Sequence, residues 1–239
     1  MARLYLIPTP IADTPVEWAL PAGTLEVVRA LTVFIVENAK TARAALKRMG
    51  YPRPLQETCM LALSEHTRAD ELDALLEPLR QGFDVGLMSE AGCPGIADPG
   101  AALTRLAHRE GIGVVPLVGP SALLLALMGS GLNGQRFAFH GYLPVDRQAR
   151  LSAIRRLETR SRRDDETELC IETPYRNAAL FEALLAACHD TTLVCIASGL
   201  MGDRPMLYTA PISEWRTRRW DAPRQPTVFL LYSPAAQPV

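Results

Sequence analysis

Residues 85–100 read V-G-L-M-S-E-A-G-C-P-G-I-A-D-P-G, and the way this stretch changes character half-way decides the fold. Its first four residues form a short uncharged apolar run, the mark of a buried strand rather than a helix. The run ends in a loop of small residues, glycines and prolines, and ligands of open α/β sheets bind at such carboxyl ends of strands. Glycine lets the loop backbone approach a ligand closely, and Asp98-Pro99 is a natural start for the next helix. Similar runs lie at 4–7, 33–36 and 114–117. Between them, 68–80 places Leu72, Leu75, Leu76 and Leu79 at helical spacing, and 41–49 combines alanine, leucine and basic residues in the manner of an exposed helix. Strands alternating with helices predict a mainly parallel sheet. A second loop, Val118-Gly119-Pro120-Ser121-Ala122, follows the run at 114–117 and opens a helix, so its amides and the Ser121 hydroxyl point toward the same sheet edge.

Beyond residue 117 the pattern changes. Residues 121–128 are nearly all apolar and predict a helix buried all round. Strands are expected at 137–140, 168–171, 192–197, 206–209 and 227–232, with helices at 146–160 and 177–188, the latter carrying Leu180, Leu184 and Leu185 on one stripe. The reading is α/β throughout, with an N-terminal α/β domain at 1–117 and a C-terminal α/β domain at 118–239. The Pro-containing tail at 233–239 is expected to be disordered.

The chain has 239 residues, 48% apolar and 21% charged, with a net charge of −1, the profile of a folded globular protein that is not a polyanion binder as a whole. Its five cysteines, at 59, 93, 170, 188 and 195, include no C-x-x-C pair, so neither a disulfide framework nor a zinc site is expected. The first ten residues lack the long apolar centre of a signal peptide, which points to the cytoplasm. The longest uncharged stretch, 111–135, is interrupted by Pro116, Pro120 and glycines and does not read as a membrane span. A literal G-x-G-x-x-G at Gly129, Gly131 and Gly134 follows a helix and precedes a strand, the reverse of the dinucleotide order, and reads as a helix-ending turn.

Two segments could meet nucleic acid. Residues 147–163 hold seven arginines against one glutamate, which suits either a path for phosphates or a solvated helix face neutralised by Asp164, Asp165 and Glu166. Arg216, Arg218 and Arg219 beside Trp215 and Trp220 interleave cations with aromatics, for RNA or for cation–π packing.

The start L-Y-L-I-P-T-P-I at 4–11, the loop at 89–100, the turn V-G-P-S at 118–121, H-G-Y-L-P at 140–144 and E-T-P-Y-R at 172–176 occur in the order found in the tetrapyrrole methylase superfamily, which this chain resembles over nearly its whole length. The most similar branch is that of the small-subunit ribosomal RNA cytidine 2′-O-methyltransferases, whose corresponding segments read T-P-I, S-D-A-G-T-P-x-I-x-D-P-G, G-F-L-P and E-S-x-H-R. The resemblance implies two α/β domains with a cofactor cleft between them, S-adenosylmethionine as cofactor, and a homodimer. It also implies a pocket drawing on Ile11, on Ala91, Gly92, Cys93 and Ile96, on Ser121 and Ala122, and on Thr173 and Gly199.

Departures concentrate on the acceptor side. E-D-T-R of the branch becomes Glu37-Asn38-Ala39-Lys40, H-D-H-N keeps only His66, the histidine of E-S-x-H-R becomes Tyr175, and R-E-L-T-K becomes Ser198-Gly199-Leu200-Met201-Gly202. The expected function is methyl transfer from S-adenosylmethionine to a ribosomal RNA ribose, with ribosomal RNA or the small ribosomal subunit as partner. A tetrapyrrole or other small molecule is the alternative acceptor, and binding of S-adenosylmethionine without transfer the alternative from another class. A hydroxyl acceptor requires a base, for which Glu37, His66 and Glu172 are candidates near strand ends.

Overall fold

A computed structural model describes residues 2–218 and 220–234. Backbone packing divides the chain into two compact units, Met1–Ser121 and Ala122–Val239.

The first unit runs β1 (Arg3–Ile7), α1 (Ala22–Ala30), β2 (Val33–Val36), α2 (Ala39–Arg48), β3 (Cys59–Ala62), α3 (Ala69–Ala74), α4 (Glu77–Arg80), β4 (Val85–Met88), α5 (Gly100–Arg109) and β5 (Gly113–Pro116). Its sheet has the order β3-β2-β4-β1-β5 and every pairing is parallel. Both faces are covered, which is why its strands read as unbroken apolar runs rather than alternating ones. On one face Ile7, Phe34, Val36 and Met88 pack with Leu25, Val28, Leu46 and Met49. On the other, Leu4, Ile35, Val85 and Leu87 meet Leu76, Leu79, Leu103 and Ala107.

The single helix expected at 68–80 is two short ones, α3 and α4. Pro78 lacks the amide a continuous helix needs and its ring would strike the carbonyl four residues back. The leucine stripe nonetheless reaches the core, with Leu75, Leu76 and Leu79 buried. Strand β3 has an unremarkable sequence, C-M-L-A, and no periodicity announces it; it forms because the edge of β2 offers a ladder.

The second unit runs α6 (Ala122–Ser130), β6 (Phe137–Tyr142), α7 (Arg147–Asp164), β7 (Thr167–Glu172), α8 (Asn177–Ala187), β8 (Leu193–Ser198), β9 (Met206–Pro211), α9 (Ile212–Trp215) and β10 (Thr227–Tyr232). The sheet order is β6-β7-β10-β8-β9; only β6 and β7 are parallel. Helices α7 and α8 cover one face around Ile154, Leu180, Phe181, Ile196 and Phe229. Helix α6 covers the other through Ala126 and Leu127 against Leu169, Cys195 and Leu230.

Three expectations are corrected here. Helix α6 is not buried all round: its sheet-facing side packs, while Leu124 and Met128 are 51% and 79% exposed. Trp215, read as part of a surface cation–aromatic cluster, is fully buried; its indole N–H donates to the Val194 carbonyl at 2.8 Å and its ring stacks edge-on against Phe181. Arg218 lies over Tyr208, 3.9 Å from the ring centre, and Arg216 is tied to Asp190, whereas Arg219 lies outside the described residues. Ser233, placed in the disordered tail, is buried, with its amide donating to Ser161 Oγ at 2.8 Å; residues 235–239 lie outside the described residues.

The G-x-G-x-x-G segment is a helix end: Gly129 is in α6, where a Cβ would come within 2.4 Å of Leu207, and Gly131 follows with φ +71°. In the first sheet, β4 contains Gly86, where a Cβ would meet Ile7, Phe34 and Leu31 at 2.5, 2.9 and 3.1 Å. Gly86→Ala should therefore overpack the core and cost about 1–3 kcal/mol. The urea midpoint should fall with an unchanged slope; an unchanged midpoint would show that this face is loosely packed.

Candidate functional site

Strands β4, β1 and β5 are neighbours in the parallel sheet, and the loops leaving their carboxyl ends are fastened together. After β1, Pro8 and Pro10 hold the chain extended around Thr9, which is 2% exposed. Thr9 and Gly92 exchange two backbone hydrogen bonds, of 2.9 and 3.0 Å. Thr9 Oγ1 donates to the Ser89 carbonyl at 3.1 Å, and Ser89 Oγ donates to the Gly92 carbonyl at 3.2 Å. The third loop joins through Cys93 Sγ, which donates to the Pro120 carbonyl at 3.4 Å. A Cβ on Gly92, whose φ is +75°, would lie 3.7 Å from Ile11 and 3.8 Å from the Pro120 carbonyl. The three loops thus meet around a space that the missing side chain leaves free.

Asp98 closes the same loop. Its Oδ1 accepts from the amides of Gly95 and Gly100, both at 2.7 Å, holding a turn in which Ala97 takes φ +61°. Left-handed backbone at a non-glycine residue costs of order 1 kcal/mol and persists only where its surroundings enforce it. Burial raises the Asp98 carboxyl above its ordinary pKa, outweighing the two amide hydrogen bonds. Cys93 is also raised, by burial and then by the Asp98 charge, so it is an unreactive thiol rather than a nucleophile.

Glu37, immediately after β2, reaches this loop: its carboxylate accepts from the Glu90 amide at 3.0 Å. Its pKa is raised, chiefly by burial and further by Asp98 and Glu90, against the lowering effect of that amide. Of the other two candidate bases, His66 is exposed and beside Glu65. Glu172 is buried and already engaged by the Thr173 amide at 2.7 Å and by Arg176 at 2.7 Å.

The expected residues of the first unit, Ile11, Ala91, Gly92, Cys93, Ile96 and Ser121, therefore all lie in loops at one sheet edge, with Ile96 48% exposed. Sequence reading missed Thr9 and the Pro120 carbonyl, and it saw Asp98 only as the start of the next helix, not as the acceptor that also holds the Gly95 amide. The signal for Thr9 was the P-T-P triplet; for Asp98, an aspartate between Gly95 and Gly100. An open cavity of about 550 Å³ lies at the opposite, amino edge of this sheet, lined by Tyr5, Leu31, Gly82, Phe83 and Asp84; it shares no residue with these loops.

In the second unit Ala122 begins α6, while Thr173 and Gly199 leave the carboxyl ends of β7 and β8, on either side of the start of β10. The buried Asn177 amide donates to Pro223 and Gln225 carbonyls at 3.0 and 2.9 Å and to Thr227 Oγ1 at 3.0 Å. Thr227 Oγ1 in turn donates to Ser198 Oγ at 3.0 Å. Gly199 takes φ +59°, a conformation that a side chain would strain, and a Cβ there would displace the Gln225 amide, 2.3 Å away.

The basic segment on α7 is mostly committed within the chain. Arg150 donates to the Val145 carbonyl, Arg160 pairs with Glu166, Arg162 donates to Ser233 and Arg163 pairs with Asp164. Arg147, Arg155 and Arg156 stay exposed. Among the described residues no group of acidic, histidine and cysteine side chains could hold a metal ion, and no helix is long and apolar enough to cross a membrane.

A parallel α/β unit with clasped loops at the carboxyl edge of its sheet, followed by a mixed-sheet α/β unit, is the architecture of a methyltransferase of the tetrapyrrole methylase superfamily, in agreement with the relatives of the chain. The chain is 31% identical over 212 residues to ribosomal RNA small subunit methyltransferase I of Escherichia coli, covering 89% of this chain and 70% of that protein. It is 29% identical over 194 residues to the protein of that name from Haemophilus influenzae, covering 81% and 64%. With the one from Mesorhizobium japonicum it shares 34% over 184 residues, covering 77% and 58%. No family model matches the chain. It belongs to the ribosomal RNA small subunit methyltransferase I family.

Asp98→Ala should leave the Gly95 and Gly100 amides without their acceptor and cost about 1–3 kcal/mol. Amide exchange at those two glycines should accelerate at least as much as the global stability falls, and Asp98→Asn should recover part of the loss. Unaltered exchange in the alanine variant would show that the turn holds itself.

Proposed function

We propose that this protein transfers a methyl group from S-adenosylmethionine to a ribose 2′-hydroxyl of small-subunit ribosomal RNA, acting as a homodimer in the cytoplasm. The observation that carries the reading is the clasp of the loops after β1, β4 and β5 around the side-chain-free position at Gly92. Such a cradle fits a ligand that is held by backbone groups and small apolar side chains rather than by counter-charges. Ile11, Ala91, Gly92, Cys93, Ile96 and Ser121 would hold the cofactor, with Ala122, Thr173 and Gly199 of the second unit as further contacts. When bound, S-adenosylmethionine supplies an electrophilic methyl carbon on a sulfonium.

The residues of the chain then have two tasks. One is positioning, because in-line displacement demands an acceptor oxygen ~3 Å from the methyl carbon and aligned with the breaking bond. The rigid clasp and the fixed turn at Asp98 serve this. The other is removal of the hydroxyl proton, which we assign to Glu37. Its carboxylate is oriented by the Glu90 amide and is more basic than an ordinary glutamate because burial disfavours its charge. Exposed Arg147, Arg155 and Arg156 on α7 are available to phosphates. Leu124 and Met128 on α6, and Phe137 and Tyr142 on the edge strand β6, are exposed apolar side chains available to a second copy.

The direct test incubates the protein with methyl-labelled S-adenosylmethionine and small ribosomal subunits from cells lacking the gene. One methyl per subunit, released as a 2′-O-methylnucleoside, is expected. Labelling of a ribonuclease-treated small-molecule extract, with none in the subunits, would overturn the assignment.

Glu37→Gln should lower kcat by about 10²–10⁴-fold, the usual contribution of a general base, with cofactor affinity unchanged. A group whose folded pKa is raised stabilises the protein fully below its unfolded value, here 4.5, and that contribution is lost as pH rises through the folded value. The glutamine variant should therefore be more stable than wild type at neutral pH, and the wild-type rise of kcat/KM with pH should vanish in it. Wild-type kcat in the variant would remove Glu37 from the reaction.

A further inference from the structure

We infer that Tyr175, backed by Arg224, is a stacking platform for an unpaired base of the RNA acceptor, an inference that rests on the proposed function and names a residue that reads the substrate. Tyr175 is 82% exposed, the highest value among the exposed large apolar and aromatic side chains of the described residues. Burying a ring of this size would gain about 1.5–3 kcal/mol, and the second unit has an aromatic core in which Trp215, Phe181, Tyr208 and Trp220 stack edge to face. Tyr175 takes no part in it.

The ring stands on a backbone that cannot relax to bury it. Pro174 precedes it, the Arg176 amide donates to the Thr173 carbonyl at 2.9 Å, and Arg176 is clamped between Glu172 at 2.7 Å and the Leu143 carbonyl at 3.0 Å. The next residue, Asn177, fixes the 223–227 segment, and that segment carries Arg224. The Arg224 guanidinium lies 5.8 Å from the Tyr175 ring centre and, among the described residues, makes no ion pair or hydrogen bond. A rigid exposed ring beside an uncommitted guanidinium is how proteins hold splayed-out RNA bases, since every base has a face that stacks while the cation meets backbone or base.

The sequence departure supports this. Tyr175 stands where the related pattern E-S-x-H-R has histidine. A role that needs an imidazole nitrogen would not survive that exchange, because the phenol has none. A stacking role would, because both rings are planar. The position is two residues from Thr173, a proposed cofactor contact.

The test measures methylation of small ribosomal subunits from cells lacking the gene, with S-adenosylmethionine affinity followed separately by calorimetry. Tyr175→Ala should raise KM for the subunits by about 5- to 150-fold, the range for loss of one base stacked on an aromatic ring, and leave cofactor affinity unchanged. Tyr175→Phe should stay within about twofold of wild type, since the hydroxyl does not stack. Ultraviolet crosslinking should attach a nucleotide to the peptide containing Tyr175. Wild-type KM in the alanine variant would overturn the platform while leaving the function intact, as would a phenylalanine variant as impaired as the alanine one. Conversion of a dimer to a monomer by Tyr175→Ala would overturn it in favour of a contact between copies. Wild-type protein that methylates no ribosomal RNA would overturn the function itself, and the platform with it.

Discussion

Two backbone hydrogen bonds between Thr9 and Gly92 hold together the loops that leave β1 and β4, and most of what is distinctive in the first unit serves to make that exchange possible. Parallel neighbours end on the same side, so their loops can meet only at the sheet edge. Gly92 reaches the pairing geometry because it can adopt φ +75°, and its missing side chain leaves the gap beside Ile11 and Pro120. Ser89 and Asp98 then satisfy the loop's own carbonyl and amides from within. A ligand entering such a cradle finds donors and acceptors already fixed, so little ordering is left to do on binding.

The constraint also accounts for the electrostatics. The loop edge gathers Glu37, Glu90 and Asp98, which among the described residues have no ion pair, and burial raises the pKa of Glu37 and Asp98. Carboxylates whose charge is disfavoured by burial are stronger proton acceptors at some cost in stability, the exchange expected where function and folding compete. By contrast, the paired carboxylates Asp73 and Glu110 on the surface are lowered, first of all by hydrogen bonds from Arg80.

How much of this was legible in the sequence follows from which forces are local. The apolar runs at 33–36 and 85–88 coincide with β2 and β4, because a strand covered on both faces leaves an unbroken apolar trace. The runs of the second unit marked all its strands to within two residues. Strand β3, helix α1 and the break at Pro78 were not anticipated: an edge strand is decided by its neighbour, and the proline was outvoted by the leucine spacing. The loop at 89–100 stood out by composition, but Thr9 and the Pro120 carbonyl did not, since their roles depend on pairing across 83 and 27 positions of sequence. On α7, arginines that read as a phosphate path turned out largely to be anchors, because the sequence shows a charge and hides its partner.

The measurement that bears most directly on the account is amide hydrogen exchange with and without S-adenosylmethionine. If the clasp is the cofactor cradle, protection should appear at 9–11, 89–100 and 118–121, and at 173 and 199 in the second unit. The amino edge of the first sheet around Phe83 and Asp84 should stay unchanged. Protection confined to that amino edge, or absent from 89–100 at saturating cofactor, would contradict the claim that these loops bind it.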